Sequence, residues 1–278
     1  PAPGFSLLYF LVVAALAVLV TLLLLFPKLF GIQGATPAPQ PAKKPLPWWF
    51  WAGAVVMLCF WWVMWARPVW LGDLVYYAFS PMWWGFIVML DGIVYRRNNG
   101  KSLMATKPAL LIFSALISVV GWGYFEYYDY FVLSNWYYPN GHMAALPHSV
   151  IVVLFLIAYT TVWPAIFEWF NVLNSFPKLV ARYQNGPSIP LSGNLLIILG
   201  CLIIGALVFF PRLMFWGIWI GPLAVIIGVL LRQSLWSPFT ALTQGNWAPG
   251  VLIALASMFN GFLWEMWNFG SEHPDIGY

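Results

Sequence analysis

The chain has 278 residues, of which 62% are hydrophobic, 19% aromatic and only 7% charged, and its formal net charge is +4. In a soluble domain about a quarter of the residues are charged, because its surface must be hydrated. The composition therefore excludes a soluble, disordered or nucleic-acid-binding protein and indicates a polytopic membrane protein. A small positive charge is typical of the cytoplasmic loops of such proteins.

Apolar segments follow one another along the whole chain, and about 20 residues of helix are needed to cross a hydrocarbon core about 30 Å thick. The sequence predicts an all-α transmembrane helix bundle of about eight spans, or seven if the last segment, interrupted by Asn260-Gly261 and Glu265, does not cross. The first segment lacks a preceding basic region and is too long for a signal-peptide core, so we interpret it as a retained span. The segments are 5–26, 48–65, 74–90, 109–133, 149–170, 191–210, 213–231 and 247–269.

The predicted organisation has three parts. Residues 1–33 contain the first span, residues 34–47 form a Pro- and Ala-rich solvated linker, and residues 48–278 form a bundle of about seven spans. Within the fifth segment, Pro164 is the predicted site of a kink.

Positive charge predicts the orientation of these spans. Alternate loops place ten basic residues on one side of the membrane and only Arg67 and Arg212 on the other. By the positive-inside rule the ten face the cytoplasm, so both termini are expected on the outer side. The ten are Lys28, Lys43, Lys44, Arg96, Arg97, Lys101, Lys107, Lys178, Arg182 and Arg232.

One pattern, an aromatic residue followed by Glu, a large apolar residue, an aromatic residue and then Asp or Asn, occurs three times. On a helix, positions i and i+3 share a face, so each copy presents a carboxylate beside a second oxygen-bearing side chain. An ionisable group within a span costs about 2.5–3.5 kcal/mol and usually faces a functional interior. The copies are Phe125-Glu126-Tyr127-Tyr128-Asp129, Phe167-Glu168-Trp169-Phe170-Asn171 and Trp264-Glu265-Met266-Trp267-Asn268.

These copies supply the candidate site residues of an intramembrane site. A carboxylic acid in an apolar pocket can deliver a proton, and aromatic faces can stabilise a cationic intermediate. The candidate catalytic residues are Glu126, Glu265, Asp129 and Asn268. The candidate ligand-binding residues are Glu168, Asn171, Trp122, Trp136, Tyr137, Trp264 and Trp267. A structural alternative places the three glutamates at the membrane interface.

Other polar residues have simpler interpretations. Asp91 with Arg96 and Arg97 is expected to cap a loop and anchor the third span, and the alternative is an anionic lipid head-group site at Arg96 and Arg97. The sequence contains no haem or metal motif, because the three histidines come from separate segments without ligand spacing. A cofactor is therefore not identified.

Several stretches carry a resemblance to a known family. Together they resemble a family of bacterial multi-span proteins without an assigned chemistry, and this resemblance implies a location in the bacterial inner membrane. It covers much of residues 75–140 and the end of the chain. The stretches are Phe79-Ser80-Pro81-Met82-Trp83-Trp84-Gly85-Phe86, Asp91, Arg96-Arg97-Asn98-Asn99-Gly100-Lys101-Ser102-Leu103, Trp122-Gly123-Tyr124-Phe125-Glu126 and Asn135-Trp136-Tyr137-Tyr138.

A second resemblance concerns the loop after the fourth span. Asp129, Trp136-Tyr137 and Leu146-Pro147 are similar to the acidic residue, the Trp-aromatic step and the Pro-containing loop of the membrane-bound lycopene cyclases. In those enzymes paired acids follow the proline, whereas His148-Ser149 follows it here. The resemblance implies a site for an isoprenoid or carotenoid.

Three functions remain open from the sequence. The first is a membrane-embedded site for an isoprenoid, carotenoid, quinone or other lipid, either catalytic or only binding. The second is a non-catalytic subunit of a larger membrane complex, in which the aromatic side chains contact neighbouring subunits or lipids. The third is a transporter of protons or small solutes that uses the carboxylates in sequence.

Overall fold

The computed structural model describes residues 6–136, 138 and 146–270, and every regular element in that part of the chain is a helix. The longer helices coincide with the predicted apolar segments to within a few residues at most ends. The helices are α1 Leu7–Leu25, α2 Trp48–Ala66, α3 Phe79–Arg97, α4 Leu103–Thr106, α5 Pro108–Tyr128, α6 His148–Tyr159, α7 Val162–Asn174, α8 Pro177–Arg182, α9 Gly193–Phe209, α10 Gly217–Arg232 and α11 Ala248–Gly270.

Five helical stretches are long and apolar enough to cross a membrane, and a sixth is formed if α3 is joined to the 3-10 helix Val69–Tyr77, from which it bends by 64°. The predicted sixth and seventh spans form the shorter apolar helices α9, with 17 residues, and α10, with 16. An all-helical chain with these apolar helices has the architecture of a membrane protein. The five stretches are Leu7–Leu25, Trp48–Ala66, Pro108–Leu133, His148–Asn174 and Ala248–Gly270.

The core of the bundle surrounds α3, whose buried face runs from one end of the helix to the other. Trp83 and Ile87 of α3 are fully buried, and they belong to one cluster with Ala165 of α7 and Trp267 of α11. Helices α2, α7 and α11 thus bring their apolar sides to a shared centre, and α5 packs on α7.

Helices α2 and α3 form a hairpin in which the two backbones touch. A Cβ atom placed on Gly53 would lie 2.6 Å from the Gly85 carbonyl oxygen, and one on Gly85 would lie 2.7 Å from the Met57 nitrogen. Only glycine permits so close an approach, as is common where membrane helices pack through small residues. The same arrangement occurs between α9 and α10, where Gly200 and Gly221 face each other.

The predicted fifth span is bent. Its two halves, α6 and α7, are separated by Thr160 and Thr161, just before Pro164. A proline lacks the N–H that would bond to the carbonyl four residues earlier, and its ring clashes with that carbonyl, which here belongs to Thr160. The break therefore has the cause predicted from the sequence.

The segment between α1 and α2 has no regular structure from residue 32 to residue 47, yet both of its ends are fixed. The Gly34 nitrogen donates to the Gln184 carbonyl oxygen at 2.9 Å, and the Ala35 nitrogen donates to the Ala181 carbonyl oxygen at 2.9 Å. Near its other end, the Lys44 nitrogen donates to the Arg96 carbonyl oxygen at 3.0 Å. The predicted linker is thus largely exposed but lies along one end of the bundle.

We call that end, which carries Arg97, the basic end, and the opposite end, which carries Glu126, the tyrosine end. Among the described residues, the hydrogen bonds between the first helix and the rest of the bundle lie near the basic end, where the Tyr183 hydroxyl donates to the Leu24 carbonyl oxygen at 2.9 Å. Burial raises the pKa of Tyr183, so its hydroxyl keeps its proton at neutral pH. No residue of α1 is buried.

Candidate functional site

The three copies of the predicted motif lie on three helices and in three different environments. Glu126 is half-buried near the end of α5, Glu168 is fully buried on α7, and Glu265 is exposed on α11. The polar neighbours of Glu126 and Glu168 differ, as described below, so these two copies do not meet in one site. Glu126 and Glu265 lie toward the tyrosine end, whereas Glu168 lies toward the basic end.

Glu126 accepts hydrogen bonds from aromatic side chains. One oxygen, Oε1, accepts from the Trp122 indole N–H at 2.8 Å and from the Tyr138 hydroxyl at 2.6 Å, and Tyr159 also lies within range of the carboxylate. Burial and the bond to Glu126 raise the pKa of Tyr138, which lies in the loop after α5, so its hydroxyl remains a donor at physiological pH. The arrangement closes the carboxylate inside the bundle.

Asp129, the partner predicted for Glu126, has a different task. Its side chain is only 7% exposed, and its Oδ1 atom accepts from the backbone nitrogens of Asn135 at 2.8 Å and Trp136 at 3.1 Å. The carboxylate therefore holds the start of the loop that brings Tyr138 to Glu126. Tyr137 lies outside the described residues.

Glu265 borders an apolar groove on the outer surface of the bundle. The groove has a volume of about 410 Å³ and is lined by Trp65, Phe262, Glu265, Met266, Phe269 and Gly270. A second groove of about 410 Å³ adjoins it along α2 and shares Trp65. Asn268, one helical turn after Glu265, is partly buried. We call the two depressions the Trp65 grooves.

The predicted aromatic residues are connected through the interior. The Trp264 ring lies 5.3 Å from Trp122 and 5.7 Å from Trp83, measured between centroids, and Trp267 lies 4.7 Å from Trp83. Such edge-to-face and tilted contacts are favourable beyond the area that they bury. Trp122, one helical turn before Glu126, is therefore in ring contact with Trp264 of the third motif copy.

The most enclosed polar group is a pair of carboxyl groups toward the basic end. Asp91 and Glu168 both have 0% exposure. Asp91 accepts from the Trp49 indole N–H at 3.0 Å, from the Ser102 hydroxyl at 2.8 Å and from the Met104 nitrogen at 2.9 Å. Asp91 thus lies inside α3, beyond the predicted end of the third span, and its carboxylate caps the loop as expected.

Glu168 faces Asp91 from α7. The Asp91 and Asn171 side chains are polar neighbours of the Glu168 carboxyl group. No donor bonds to either Glu168 oxygen among the described residues. The sequence did not predict that Asp91 and Glu168 lie side by side. The basic pair at 96–97 was the available signal, because it marks a later end of the third span and so places Asp91 within the helix.

The two arginines proposed for lipid head groups are placed differently. Arg97 donates from Nε to the Ser175 hydroxyl at 2.7 Å and stacks 3.5 Å above the Phe176 ring, so its guanidinium closes the end of α7. Gln40 of the linker also bonds to Arg97. Arg96 is exposed.

The described residues contain no group of three His, Cys, Asp or Glu side chains that could hold a metal ion. His142 and His273 lie outside those residues. No protein-family model, no curated protein and no solved structure matches the chain. The two resemblances therefore depend on the quoted residues alone.

Proposed function

We propose that the chain is an integral protein of a bacterial inner membrane, with eight spans and both termini outside, that binds a hydrophobic ligand. The distribution of ten basic residues against two supports the orientation. Helices α9 and α10, at 1.5 Å per residue, are about 24–26 Å long and would cross with slight thinning of the bilayer. The ligand class is an isoprenoid, carotenoid, quinone or other lipid.

The observation that carries the proposal is the position of Glu265 beside the Trp65 grooves. The carboxylate lies on an exposed face of an apolar helix, among aromatic side chains that offer flat apolar surface. A ligand with a hydroxyl or ammonium group would direct that group toward the carboxylate, because polar groups at membrane depth pair with one another. The apolar part of the ligand would lie along Phe262 and Trp65.

Glu265 borders an exposed groove, whereas Glu126 is half-buried and accepts hydrogen bonds from Trp122 and Tyr138. The groove beside Glu265 is therefore the proposed position of the ligand. If the ligand reacts, Glu265 would be the acid in contact with it. Glu126 would not touch the ligand, because aromatic side chains separate it from the groove.

We expect a lipid-like molecule to remain bound when the full chain is extracted with its surrounding lipids, and Phe262→Ala to reduce its retention about tenfold. Removing most of the apolar contact of one phenylalanine lowers the binding free energy by about 1.5 kcal/mol, and this corresponds to about a tenfold weaker affinity. Mass spectrometry of the extracted particles measures retention. Glu265→Gln should select against ligands with a donor group.

Phe113→Ala is the matched control, because Phe113 is similarly exposed, at 58% against 66% for Phe262, but lies on α5 away from the grooves. Equal retention in both alanine variants would contradict the proposed position of the ligand. The lipid and pigment profile of the membrane tests a catalytic role. If the profile changes when the protein is deleted but not in Glu265→Gln or Glu126→Gln, these two residues are not catalytic.

A second candidate, a subunit of a larger membrane complex, is favoured by α1. This helix has no buried residue and exposes large apolar side chains along its length. The chain alone has a mass of 31.5 kDa. We expect particles extracted with native lipids to be heavier than one chain plus lipid if a partner covers α1, and mass photometry that finds only single chains would count against this candidate.

A further inference from the structure

In the described part of the chain, no cationic side chain bonds to the carboxyl group of Asp91 or of Glu168. No Lys, Arg or His is among its buried side chains. Of the two arginines on α3, Arg96 is exposed and Arg97 bonds to Ser175 and Gln40 instead. The polar side chains that face the pair are neutral: Trp49 from α2, Ser102 before α4 and Asn171 on α7.

The helices packed against α7 add no buried cation, and the Lys178 and Arg182 side chains of α8 are exposed. Helix α5 contributes the buried hydroxyls of Ser114 and Ser118, which donate to backbone carbonyls of Leu111 and Tyr159. Helix α11 contributes Asn260, which is neutral. The pair would hold two negative charges side by side in a medium of low dielectric constant if both groups were ionised, and such an arrangement is strongly unfavourable.

The hydrogen bonds distinguish the two members of the pair. Asp91 accepts from three donors, which is the environment of an ionised carboxylate. Glu168 has acceptor atoms without donors among the described residues and lies beside Asp91. Two ionised carboxylates cannot bond to each other, since each only accepts; a proton on Glu168 turns the contact into an O–H donor facing a carboxylate.

We infer that Asp91 and Glu168 form an intramembrane proton-binding site, in which Glu168 carries one exchangeable proton and donates it to the Asp91 carboxylate. The proton is bound and released as H⁺ by a single O–H bond of Glu168. Asp91 holds the proton in place, and Trp49, Ser102 and Met104 keep the Asp91 charge fixed. This site is independent of the ligand groove proposed above.

A metal ion fits the pair less well. Ca²⁺ takes six to eight oxygen ligands and Mg²⁺ takes six in near-ideal geometry. Here two carboxyl groups and one amide are available, because the Ser102 hydroxyl already donates to Asp91 and its oxygen accepts from the Ala105 nitrogen at 3.2 Å. The chemistry of the donor set therefore favours a proton.

Infrared spectroscopy of the full chain in lipid membranes tests the site, because a protonated carboxyl group has its own C=O band. We expect such a band at neutral pH, lost in Glu168→Gln and moved in frequency in Asp91→Asn. Glu126→Gln should leave it unchanged. Deuterium exchange should shift the wild-type band, since the proton exchanges.

If a substitution prevents folding, wild-type protein labelled with ¹³C-glutamate supplies the same test, and the band should shift with the label. The inference is overturned if the wild-type chain has no protonated-carboxyl band at neutral pH, if the band ignores the glutamate label, or if it persists in Glu168→Gln. Loss of the band on addition of Na⁺ or Ca²⁺ to metal-free protein would also overturn it, in favour of a metal site.

Discussion

Replacing Asp91 with alanine is expected to lower the free energy of unfolding by at least about 3 kcal/mol. The change removes the acceptor of the buried Ser102 hydroxyl and of the partly buried Trp49 and Met104 N–H groups, and a donor left unsatisfied in the interior costs about 1–3 kcal/mol. Asp91→Asn should be intermediate, because its amide oxygen still accepts while its NH₂ group faces a donor. Detergent-induced unfolding in mixed micelles, followed by tryptophan fluorescence, measures the loss.

Asp73→Ala is the control, since Asp73 is an exposed aspartate in the segment before α3. A surface substitution of this kind should change stability by less than about 0.5 kcal/mol. If Asp91→Ala behaved like Asp73→Ala, the three hydrogen bonds would have no net role in holding α2 and the loop before α4 against α3.

Helices α2 and α3 should separate when Gly85 is enlarged. Gly85→Ala places a Cβ atom 2.7 Å from the Met57 nitrogen and 2.8 Å from the Gly53 carbonyl oxygen, so the backbones must move apart, at a cost of about 1–3 kcal/mol. Gly85→Leu should cost more, because the buried rings of Trp83 and Phe86 next to it then lose their fit. The same unfolding assay, with the yield of folded protein, measures both changes.

Gly205→Ala on α9 is the matched control, because nothing lies within 4 Å of a Cβ atom there. Alanine in that position should be neutral or stabilising by up to about 1 kcal/mol, as for an unhindered helix interior. Gly53→Ala combined with Gly85→Ala should cost less than the sum of the single changes, since the first has already moved the helices apart. Additive costs would show that the two glycines do not share one contact.

Hydrophobic patterning was sufficient to find the long helices, because a membrane requires continuous apolar helices of one approximate length. The third span was the poorest match: the prediction ended at Leu90, before the first charge, whereas α3 continues to Arg97. The continuation depends on Trp49 and Ser102, which bond to Asp91 from distant parts of the chain, and such tertiary bonds leave no trace in local hydropathy.

The candidate site was harder to predict than the fold. The repeated motif includes Glu168, but equal spacing along three helices says nothing about which way each helix is turned. Glu168 faces α3 and is buried, Glu265 faces outward, and Glu126 is bonded within its own helix to Trp122. Helix rotation is decided by packing against neighbours, such as the approach of α7 to α3, which a single sequence does not reveal.

The two glycine-lined hairpins have a consequence for biosynthesis. Helices α2 and α3, and likewise α9 and α10, are neighbours in the chain, so each pair can associate as soon as its second member is inserted, with little loss of chain entropy. Helix α7 has to wait for α11, because the two pack together although α8, α9 and α10 lie between them in the chain. Until α11 is inserted, the face of α7 that receives it stays open to chaperones, insertases and lipid.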